Sequence, residues 1–266
     1  MCSFIFTNRT IEDLKFVNIF LKFRGPDWTN WININGLTFI HNLLSINGTV
    51  TTQPFVQDNV VAVYNGEIYN TTGYESDGKA IIPAYLSYGD TFAQTLDGEF
   101  AIVLVDFRKR QAIIATDQFR TKPLWYSLEN GEFGFASYRS ALERCGFTQI
   151  ERVQPNSIFT LNLDTLEFSR LANVVNWDLV QHKENFSHWT HAFEQSIKKR
   201  TQNIREKIFI GLSSGYDSGT IACELNKQGV DYTAFTVMGK EPPHILEQRK
   251  TKNHYWIQPN QELIAE

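Results

Sequence analysis

Cys2-Ser3-Phe4-Ile5-Phe6 follows Met1 directly and joins a thiol to a run of residues that favour a β-strand. Removal of Met1 would leave Cys2 at the N-terminus, with its α-amine and its thiol on the same Cα. The reference pKa of an α-amine, about 7.7–8.0, lies near cellular pH, so this amine can serve as the base for a thiolate that attacks an amide. The alternative interpretation is a small buried thiol at the start of an ordinary strand, since cysteine is often buried for packing alone.

A second segment, Asn65-Gly66-Glu67-Ile68-Tyr69-Asn70, occurs in order with other short motifs along the chain. These motifs are Arg24-Gly25-Pro26-Asp27, His41-Asn42-Leu43-Leu44-Ser45-Ile46, Gln53-Pro54-Phe55, Ser76-Asp77, Leu96-Asp97-Gly98-Glu99-Phe100-Ala101, Lys122-Pro123-Leu124 and Phe135-Ala136-Ser137. Over roughly residues 2–170 the series resembles the glutaminase domain of class II glutamine amidotransferases, specifically that of asparagine synthetase-like enzymes.

The residue pattern by itself predicts an α+β fold with antiparallel sheets. The resemblance implies a four-layer αββα sandwich of the N-terminal-nucleophile type over residues 1–172. With Thr10 as its N-cap, an amphipathic helix is expected to end near Phe23. Strands are predicted at 2–7, 31–34, 37–41, 60–64, 99–107, 111–116, 123–127, 132–136, 157–163 and 166–170, and further helices at 77–87 and 91–96.

Catalytic roles follow from the resemblance, residue by residue. Cys2 is the expected nucleophile, and Asn65 and Gly66 match the donors of an oxyanion hole, through a side-chain amide and a backbone N–H. Asn-Gly is also a strong hairpin signal, so the alternative for these two residues is a turn after strand 60–64. Glu67 and Asp77 match positions that hold the α-ammonium group of glutamine, and their alternative interpretation is solvated surface carboxylates.

Arg24 is the remaining substrate-binding candidate. Turn geometry explains its motif at least as well, because Pro26 fixes its own φ and Gly25 allows values that other residues avoid. Arg24 and Gln53 are therefore interpreted first as residues that shape the loops around the pocket.

Several positions depart from the family pattern. The family normally has an arginine before Leu-Ser-Ile that binds the α-carboxylate of glutamine, whereas this chain has Leu43. A bidentate guanidinium–carboxylate contact in a sheltered site contributes on the order of 2–4 kcal/mol, a factor of roughly 30 to 1,000 in binding. In addition, Lys79 stands where an acid is common, Arg120 replaces a glycine, and Tyr138 replaces a glutamate.

A domain boundary is predicted within 171–185, with a helix at 187–204 and a strand at 207–212 beyond it. The next segment, Ser213-Ser214-Gly215-Tyr216-Asp217-Ser218, leads into a helix and resembles the pyrophosphate loop of ATP pyrophosphatases, with Ser214 in place of a glycine. The resemblance implies ATP and Mg²⁺ as cofactors, bound at Ser213, Ser214, Gly215, Asp217 and Ser218. The alternative is an ordinary strand-to-helix connection.

Only residues 207–213 and 233–238 are predicted as parallel strands after this boundary, and no second acidic motif follows Glu241. The expectation is therefore a partial α/β pyrophosphate-loop domain at 186–266. Such a domain is expected to be completed by a separate polypeptide or by a second copy of the chain, because its edges and apolar faces would otherwise be bare.

Composition narrows the class of protein. A hydrophobic content of 42% fills a real core, and the sequence shows no membrane-spanning run and no leader peptide, so a cytoplasmic location is expected. Cys2, Cys145 and Cys223 are odd in number and scattered, which predicts neither a disulfide framework nor a metal site. The net charge of −4, without a basic stripe, argues against nucleic acid as a partner.

The function predicted from the sequence is hydrolysis of glutamine through a Cys2 thioester, which supplies ammonia for ATP-dependent amidation of a carboxylate such as aspartate. The synthetase step is not expected from this chain alone. The alternative is a non-catalytic binding or regulatory protein that keeps the amidotransferase fold.

Overall fold

Long runs of β-branched and aromatic residues form two antiparallel sheets in the first part of the chain. The computed structural model describes residues 2–46, 49–71, 73–202, 204, 206–238, 241–250 and 254–259. The predicted removal of Met1 concerns a residue outside this set. The chain divides into two units between Leu179 and Val180, a point inside the predicted boundary region 171–185.

In the first unit, twelve strands lie in two six-stranded sheets. Their bounds are β1 Ser3–Thr7, β2 Trp28–Ile34, β3 Leu37–Leu43, β4 Phe55–Gln57, β5 Val60–Ile68, β6 Gly98–Asp106, β7 Gln111–Thr116, β8 Trp125–Glu129, β9 Glu132–Ala136, β10 Glu151–Arg152, β11 Ser157–Asn162 and β12 Phe168–Ala172. Sheet A has the order β10-β8-β9-β1-β3-β2, and sheet B has the order β12-β11-β7-β6-β5-β4.

Helices cover the outer faces of both sheets. They are α1 Leu14–Arg24, α2 Ile81–Tyr88 and α3 Arg139–Arg144, with 3-10 helices at Asp77–Ala80 and Gly89–Thr95. α1 and α3 pack on sheet A, whereas α2 and the 3-10 helices pack on sheet B. A core rich in phenylalanine and valine fills the space between the sheets. The four layers are therefore α, β, β and α, and the predicted α+β sandwich is confirmed.

Two Asn-Gly pairs form hairpin turns in this unit, and neither is the pair singled out from the sequence. Asn35-Gly36 joins β2 to β3 and Asn130-Gly131 joins β8 to β9, all four residues with positive φ. By contrast, β5 continues through Asn65-Gly66 to Ile68, so the turn interpretation of that pair is wrong. The physical reason is pairing: Asn65 and Gly66 lie opposite Ala101 and Phe100 of β6, which keeps the backbone extended.

The start of the first helix also differs from the prediction. α1 is capped by Asp13, whose carboxylate accepts a hydrogen bond from the N–H of Phe16 at 3.0 Å, and not by Thr10. Threonine and aspartate are both favoured at the N-cap position, so the sequence alone does not decide between Thr10 and Asp13. The short elements β4, α3 and β10 have too few residues to produce a periodic signal.

The second unit is an α/β arrangement built around a parallel sheet of order β13-β14-β15. Its elements are α4 Ser187–Thr201, β13 Ile208–Gly211, α5 Tyr216–Lys227, β14 Tyr232–Met238, α6 Pro243–Lys250 and β15 His254–Pro259. The expectation that the sheet stops after residues 233–238 is wrong. The chain continues through α6, which begins at Pro243, a residue type that is well tolerated at the first position of a helix, into the third strand β15.

In the described part of the chain, side chains on one face of β13 and β14 are covered and those on the other face are exposed. Ile208, Ile210, Tyr232 and Ala234 pack in a cluster with residues of α4 and α5. On β13 and β14, side chains of the opposite parity are exposed: Phe209 by 71%, Phe235 by 44% and Val237 by 71%. Within the described residues, no helix combines the length and apolar character that crossing a membrane requires.

Candidate active site

The alternation of side chains along β1, β3 and β5 places the candidate site residues at one end of the core of the first unit. Phe4 and Phe6 of β1 face the space between the sheets, as do Phe39 of β3 and Val63 of β5. Because side chains on a strand alternate between faces, Cys2 shares the face of Phe4 and Phe6, Leu43 that of Phe39, and Asn65 and Glu67 that of Val63. The four residues therefore converge at one end of the sandwich.

A cleft opens at this end and includes most of the residues predicted from the sequence. Its lining consists of Cys2, Leu43, Leu44, Ser45, Ile46, Thr49, Thr51, Gln53, Tyr64, Gly66, Glu67, Ser76 and Asp77. Gln53 shapes one wall, since its Oε1 accepts a hydrogen bond from the N–H of Tyr64 at 2.8 Å. Asn65 lies on β5 beside this lining, fully buried.

The thiol of Cys2 is positioned by the loop after β3. The N–H of Leu44 points at Cys2 Sγ over 3.4 Å, and the loop is fixed in turn by Asp27, whose carboxylate accepts the N–H of Ser45 at 2.8 Å. Burial raises the pKa of the Cys2 thiol, and the nearby charges of Glu67 and Asp77 raise it further, while the contact with Leu44 lowers it. Without a bound substrate, the cleft therefore favours the thiol form of Cys2 over the thiolate.

Gly66 directs a backbone donor into the cleft. The N–H groups of Tyr64 and Ile68 leave β5 on the side away from β6, to Gln53 Oε1 and to Asp77 Oδ2. Since alternate residues of a strand direct their N–H groups to the same edge, the N–H of Gly66 lies between these two. A Cβ at Gly66 would lie 2.2 Å from the carbonyl oxygen of Glu99, so only glycine fits here.

Asn65 carries the second donor. Its side chain is fully buried, and neither Oδ1 nor Nδ2 has a hydrogen-bond partner in the described part of the chain. Leaving a buried amide unpaired costs about 1–3 kcal/mol. A donor held without a partner beside a nucleophile is what an oxyanion site requires, since the charge arrives only during the reaction.

The two acidic candidates are held differently. The carboxylate of Asp77 accepts hydrogen bonds from the hydroxyl of Tyr64 at 2.5 Å and from the N–H groups of Ile68 and Gly78, both at 2.8 Å. These contacts fix Asp77 at the wall of the cleft. Glu67 lies on β5 directly opposite Glu99 of β6, and it lines the cleft as well.

A buried lysine behind the cleft is a residue to which the sequence reasoning gave no role. Lys122 Nζ lies 3.1 Å from a carboxylate oxygen of Glu99, and its side chain is almost fully buried. The motif Lys122-Pro123-Leu124 was visible in the sequence, but no local pattern joins it to the distant Glu99. Its positive charge compensates part of the negative charge that Glu67 and Glu99 bring together.

Arg24 is not part of the cleft lining. Its guanidinium lies 5.4 Å from the ring centre of Tyr138, and Nη1 is 3.4 Å from the Tyr138 hydroxyl. Tyr138 occupies the position at which the family has glutamate, so an aromatic ring takes the place of an acid beside Arg24. This placement agrees with the interpretation of Arg24 as a residue that shapes a loop.

The other departures from the family pattern have separate surroundings. Leu43 is 8% exposed and forms part of the cleft wall. Lys79 is paired with Glu75 at 2.6 Å on the surface. Arg120 has a φ of 49°, the left-handed conformation in which the family uses glycine, and its Nη1 donates to the carbonyl of Val153 at 3.0 Å.

In the second unit, the candidate pyrophosphate loop connects β13 to α5. The N–H of Ser213 donates to Ser218 Oγ at 3.1 Å, the N–H of Gly215 donates to Ser213 Oγ at 3.1 Å, and the N–H of Ser214 donates to a carboxylate oxygen of Glu241 at 2.7 Å. Ser214 is not among the residues with positive φ, so its side chain causes no strain there. Asp217 lies in the first turn of α5.

The sequence of residues 1–177 matches the family model of the glutamine amidotransferase domain. The chain belongs to this family. It is of class II and asparagine synthetase-like. It is 29% identical over 221 residues to a putative asparagine synthetase [glutamine-hydrolyzing] of Methanocaldococcus jannaschii, which covers 71% of this chain and 40% of the relative. It is also 29% identical over 270 residues to amidase chyE of Penicillium rubens, which covers 84% of this chain and 40% of that relative.

This amidotransferase therefore spans about two fifths of the length of these curated relatives. Among solved structures, it is similar to glutamine phosphoribosylpyrophosphate amidotransferase from B. subtilis, with a TM-score of 0.55 and 13% identity. That match covers 100% of this chain and 83% of the other. At such low identity the similarity supports the type of fold alone.

The unpaired amide of Asn65 predicts opposite effects on stability and on catalysis. We expect Asn65→Leu to raise the free energy of unfolding by about 1 kcal/mol, because a side chain of similar size replaces unpaired polar atoms. Turnover should fall by about 10²–10³-fold through loss of one oxyanion donor. Chemical denaturation and an ammonia-release assay measure the two effects.

Asn42→Leu is the matched control, because the buried amide of Asn42 is bonded to Ser3, Asn18 and Thr29. This control should lose stability. An equal loss in Asn65→Leu would show that the Asn65 amide is paired in solution.

The charge near Cys2 predicts a shift in the pH dependence of thiol alkylation. Glu67 raises the pKa of Cys2, so Glu67→Gln should move the midpoint of Cys2 alkylation by iodoacetamide to lower pH. Peptide mass spectrometry follows Cys2 separately from the other cysteines. Glu75→Gln, at an exposed carboxylate paired with Lys79, should leave the midpoint unchanged. A midpoint that stays fixed in Glu67→Gln would place the Glu67 charge away from the thiol.

Proposed function

We propose that this chain hydrolyses the side-chain amide of a glutamine substrate through a thioester on Cys2. The observation that carries the proposal is the convergence of the Cys2 thiol, the N–H of Gly66 and the unpaired amide of Asn65 at one end of the sandwich. This set supplies a nucleophile and two donors for the charge that forms when a thiolate attacks a carbonyl.

The α-amine of Cys2, free once Met1 is removed, takes the thiol proton through a water molecule. Sγ then forms a bond to the amide carbon, and the oxyanion is stabilised by Asn65 and Gly66. The carbon–nitrogen bond breaks, the proton passes to the leaving nitrogen, and ammonia departs. A water molecule attacks the thioester, which releases glutamate and restores the thiol.

The alternative of a non-catalytic binding protein is less consistent with Asn65. A buried amide without a partner lowers stability, and a protein that only binds would gain by replacing it with an apolar residue. Catalysis accounts for the unpaired donor, because its hydrogen-bond acceptor, the oxyanion, forms only during the reaction.

ATP does not fit the loop of the second unit as it stands. The N–H groups of Ser213, Ser214 and Gly215 all have acceptors within the chain, and the acceptor for Ser214 is the carboxylate of Glu241, which occupies the position of an anion. We therefore assign no ATP-dependent step to this chain. The amidation of a carboxylate such as aspartate belongs, in this proposal, to a further polypeptide or to a second copy of the chain.

The open face of the parallel sheet supports the involvement of such a partner. Phe209, Phe235 and Val237 form an exposed apolar patch on β13 and β14, and doubly wound sheets normally carry helices on both faces.

Glutamine hydrolysis tests the proposed function directly. We expect the wild-type chain to release ammonia from glutamine, Cys2→Ala to be inactive, and Cys145→Ala to retain activity. A diazo-ketone analogue of glutamine should label Cys2 and leave Cys145 and Cys223 unmodified, and intact mass should show loss of Met1. Equal labelling of the three thiols, or activity in protein that keeps Met1, would contradict the mechanism.

The occupied loop predicts a weak response to nucleotide. Addition of Mg-ATP should leave the melting temperature nearly unchanged, because a ligand stabilises a protein only as far as it binds the folded state. Differential scanning fluorimetry measures this effect. A rise of several degrees would show that ATP displaces the Glu241 carboxylate.

A further inference from the structure

Leucine side chains form part of the wall of the cleft. Leu43 is the last residue of β3, where it pairs with Trp28, and its side chain is buried against the cleft. The next residue, Leu44, contacts the thiol through its N–H. The backbone of Leu43 is therefore held by the sheet, one residue before the N–H that contacts the thiol.

The charged side chains that line the cleft are all negative. Glu67 and Asp77 line it, whereas none of its lining residues in the described part of the chain is lysine, arginine or histidine. On neighbouring elements, Lys122 contacts Glu99, Lys79 contacts Glu75 and Arg24 contacts Tyr138. A substrate carboxylate would meet an aliphatic side chain and two like charges, whereas an ammonium group would meet two opposite charges.

Ser45 and Ile46 line the cleft directly after Leu43 and Leu44, and Ile46 is 41% exposed, so this part of the lining lies at the protein surface. A substrate that continues beyond its α-carbonyl group would have to leave the cleft at a surface-exposed part of its rim of this kind.

We infer that the cleft accepts glutamine whose α-amine is free and charged but whose α-carboxyl group is masked as an amide, as in glutamine at the N-terminus of a peptide. This inference rests on the proposed function and specifies its substrate class. The reaction is unchanged: the side-chain carbon–nitrogen bond breaks, water is consumed, and ammonia and the corresponding glutamyl peptide are formed.

The test compares L-glutamine with L-glutamine N-methylamide, whose α-carboxyl group is a neutral methylamide. Ammonia release gives kcat/KM for each, and we expect a preference for the methylamide of at least about tenfold. N-acetyl-L-glutamine N-methylamide, which lacks the ammonium charge, should be a poor substrate. Leu43→Arg should reverse the preference, because a guanidinium pairs with the free carboxylate.

Leu86→Arg is the control for added positive charge, because Leu86 is exposed on α2 and is not among the residues that line the cleft. It should keep the wild-type preference. If the wild-type chain prefers free glutamine, the inference is overturned while glutamine hydrolysis stands, and Lys122→Met then tests whether that lysine binds the carboxylate.

Calorimetry on Cys2→Ala separates binding from catalysis. Tighter binding of the methylamide than of glutamine supports the inference, whether or not the wild-type chain turns over either compound. Absence of wild-type turnover would contradict the proposed function and leave the inference about binding in place. Equal or weaker binding of the methylamide overturns the inference. Because binding is measured on the full chain without the nucleophile, the two failures are distinguishable.

Discussion

The pairing of β1 with β3 is the constraint on which the site depends, because it fixes the start of the chain in the middle of a sheet. β1 is hydrogen-bonded to β3 on one side and to β9 on the other, and all five of its residues are buried. The buried amide of Asn42 on β3 adds a side-chain link to Ser3, and Asn42 is itself bonded to Asn18 of α1. A terminal segment would otherwise be poorly ordered, and a nucleophile on it would have no fixed geometry.

The site lies where the apolar core between the sheets gives way to polar side chains. On β3, Phe39 is followed on the same face by His41 and Leu43, and His41 is almost fully buried. Burial lowers the pKa of His41 to about 3, so this ring stays neutral and adds no charge beside Cys2. Apolar residues at this end would give the sandwich a higher free energy of unfolding. The unpaired amide of Asn65 lowers that free energy, and the proposed oxyanion role accounts for its presence.

Sequence motifs selected residues that the fold brings together, but they predicted the local geometry of these residues less well. Cys2, Gly66, Glu67 and Asp77 do line one cleft, because the motifs that identified them carry chemical constraints that a short window can express. Whether Asn-Gly makes a turn or stays in a strand depends on the partner strand, and β6 lies about thirty residues further along the chain. The same limit explains Lys122 and Glu99, whose ion pair forms only through the fold. In the second unit, α6 begins and β15 ends at a proline, a residue type that usually indicates a turn or loop, and neither element was predicted from the sequence.

In the proposed mechanism, the acids of the cleft connect substrate recognition with activation of the nucleophile. Glu67 and Asp77 raise the pKa of Cys2 in the free protein, so the thiolate is disfavoured while the cleft is open to water. An ammonium group placed beside these carboxylates opposes their effect, and the pKa of the thiol falls as the substrate binds. A free carboxylate on the same substrate would work in the opposite direction and raise that pKa again. An arginine at the position of Leu43 would cancel the carboxylate, and without one the cleft activates its thiol best for a substrate that brings a positive charge alone.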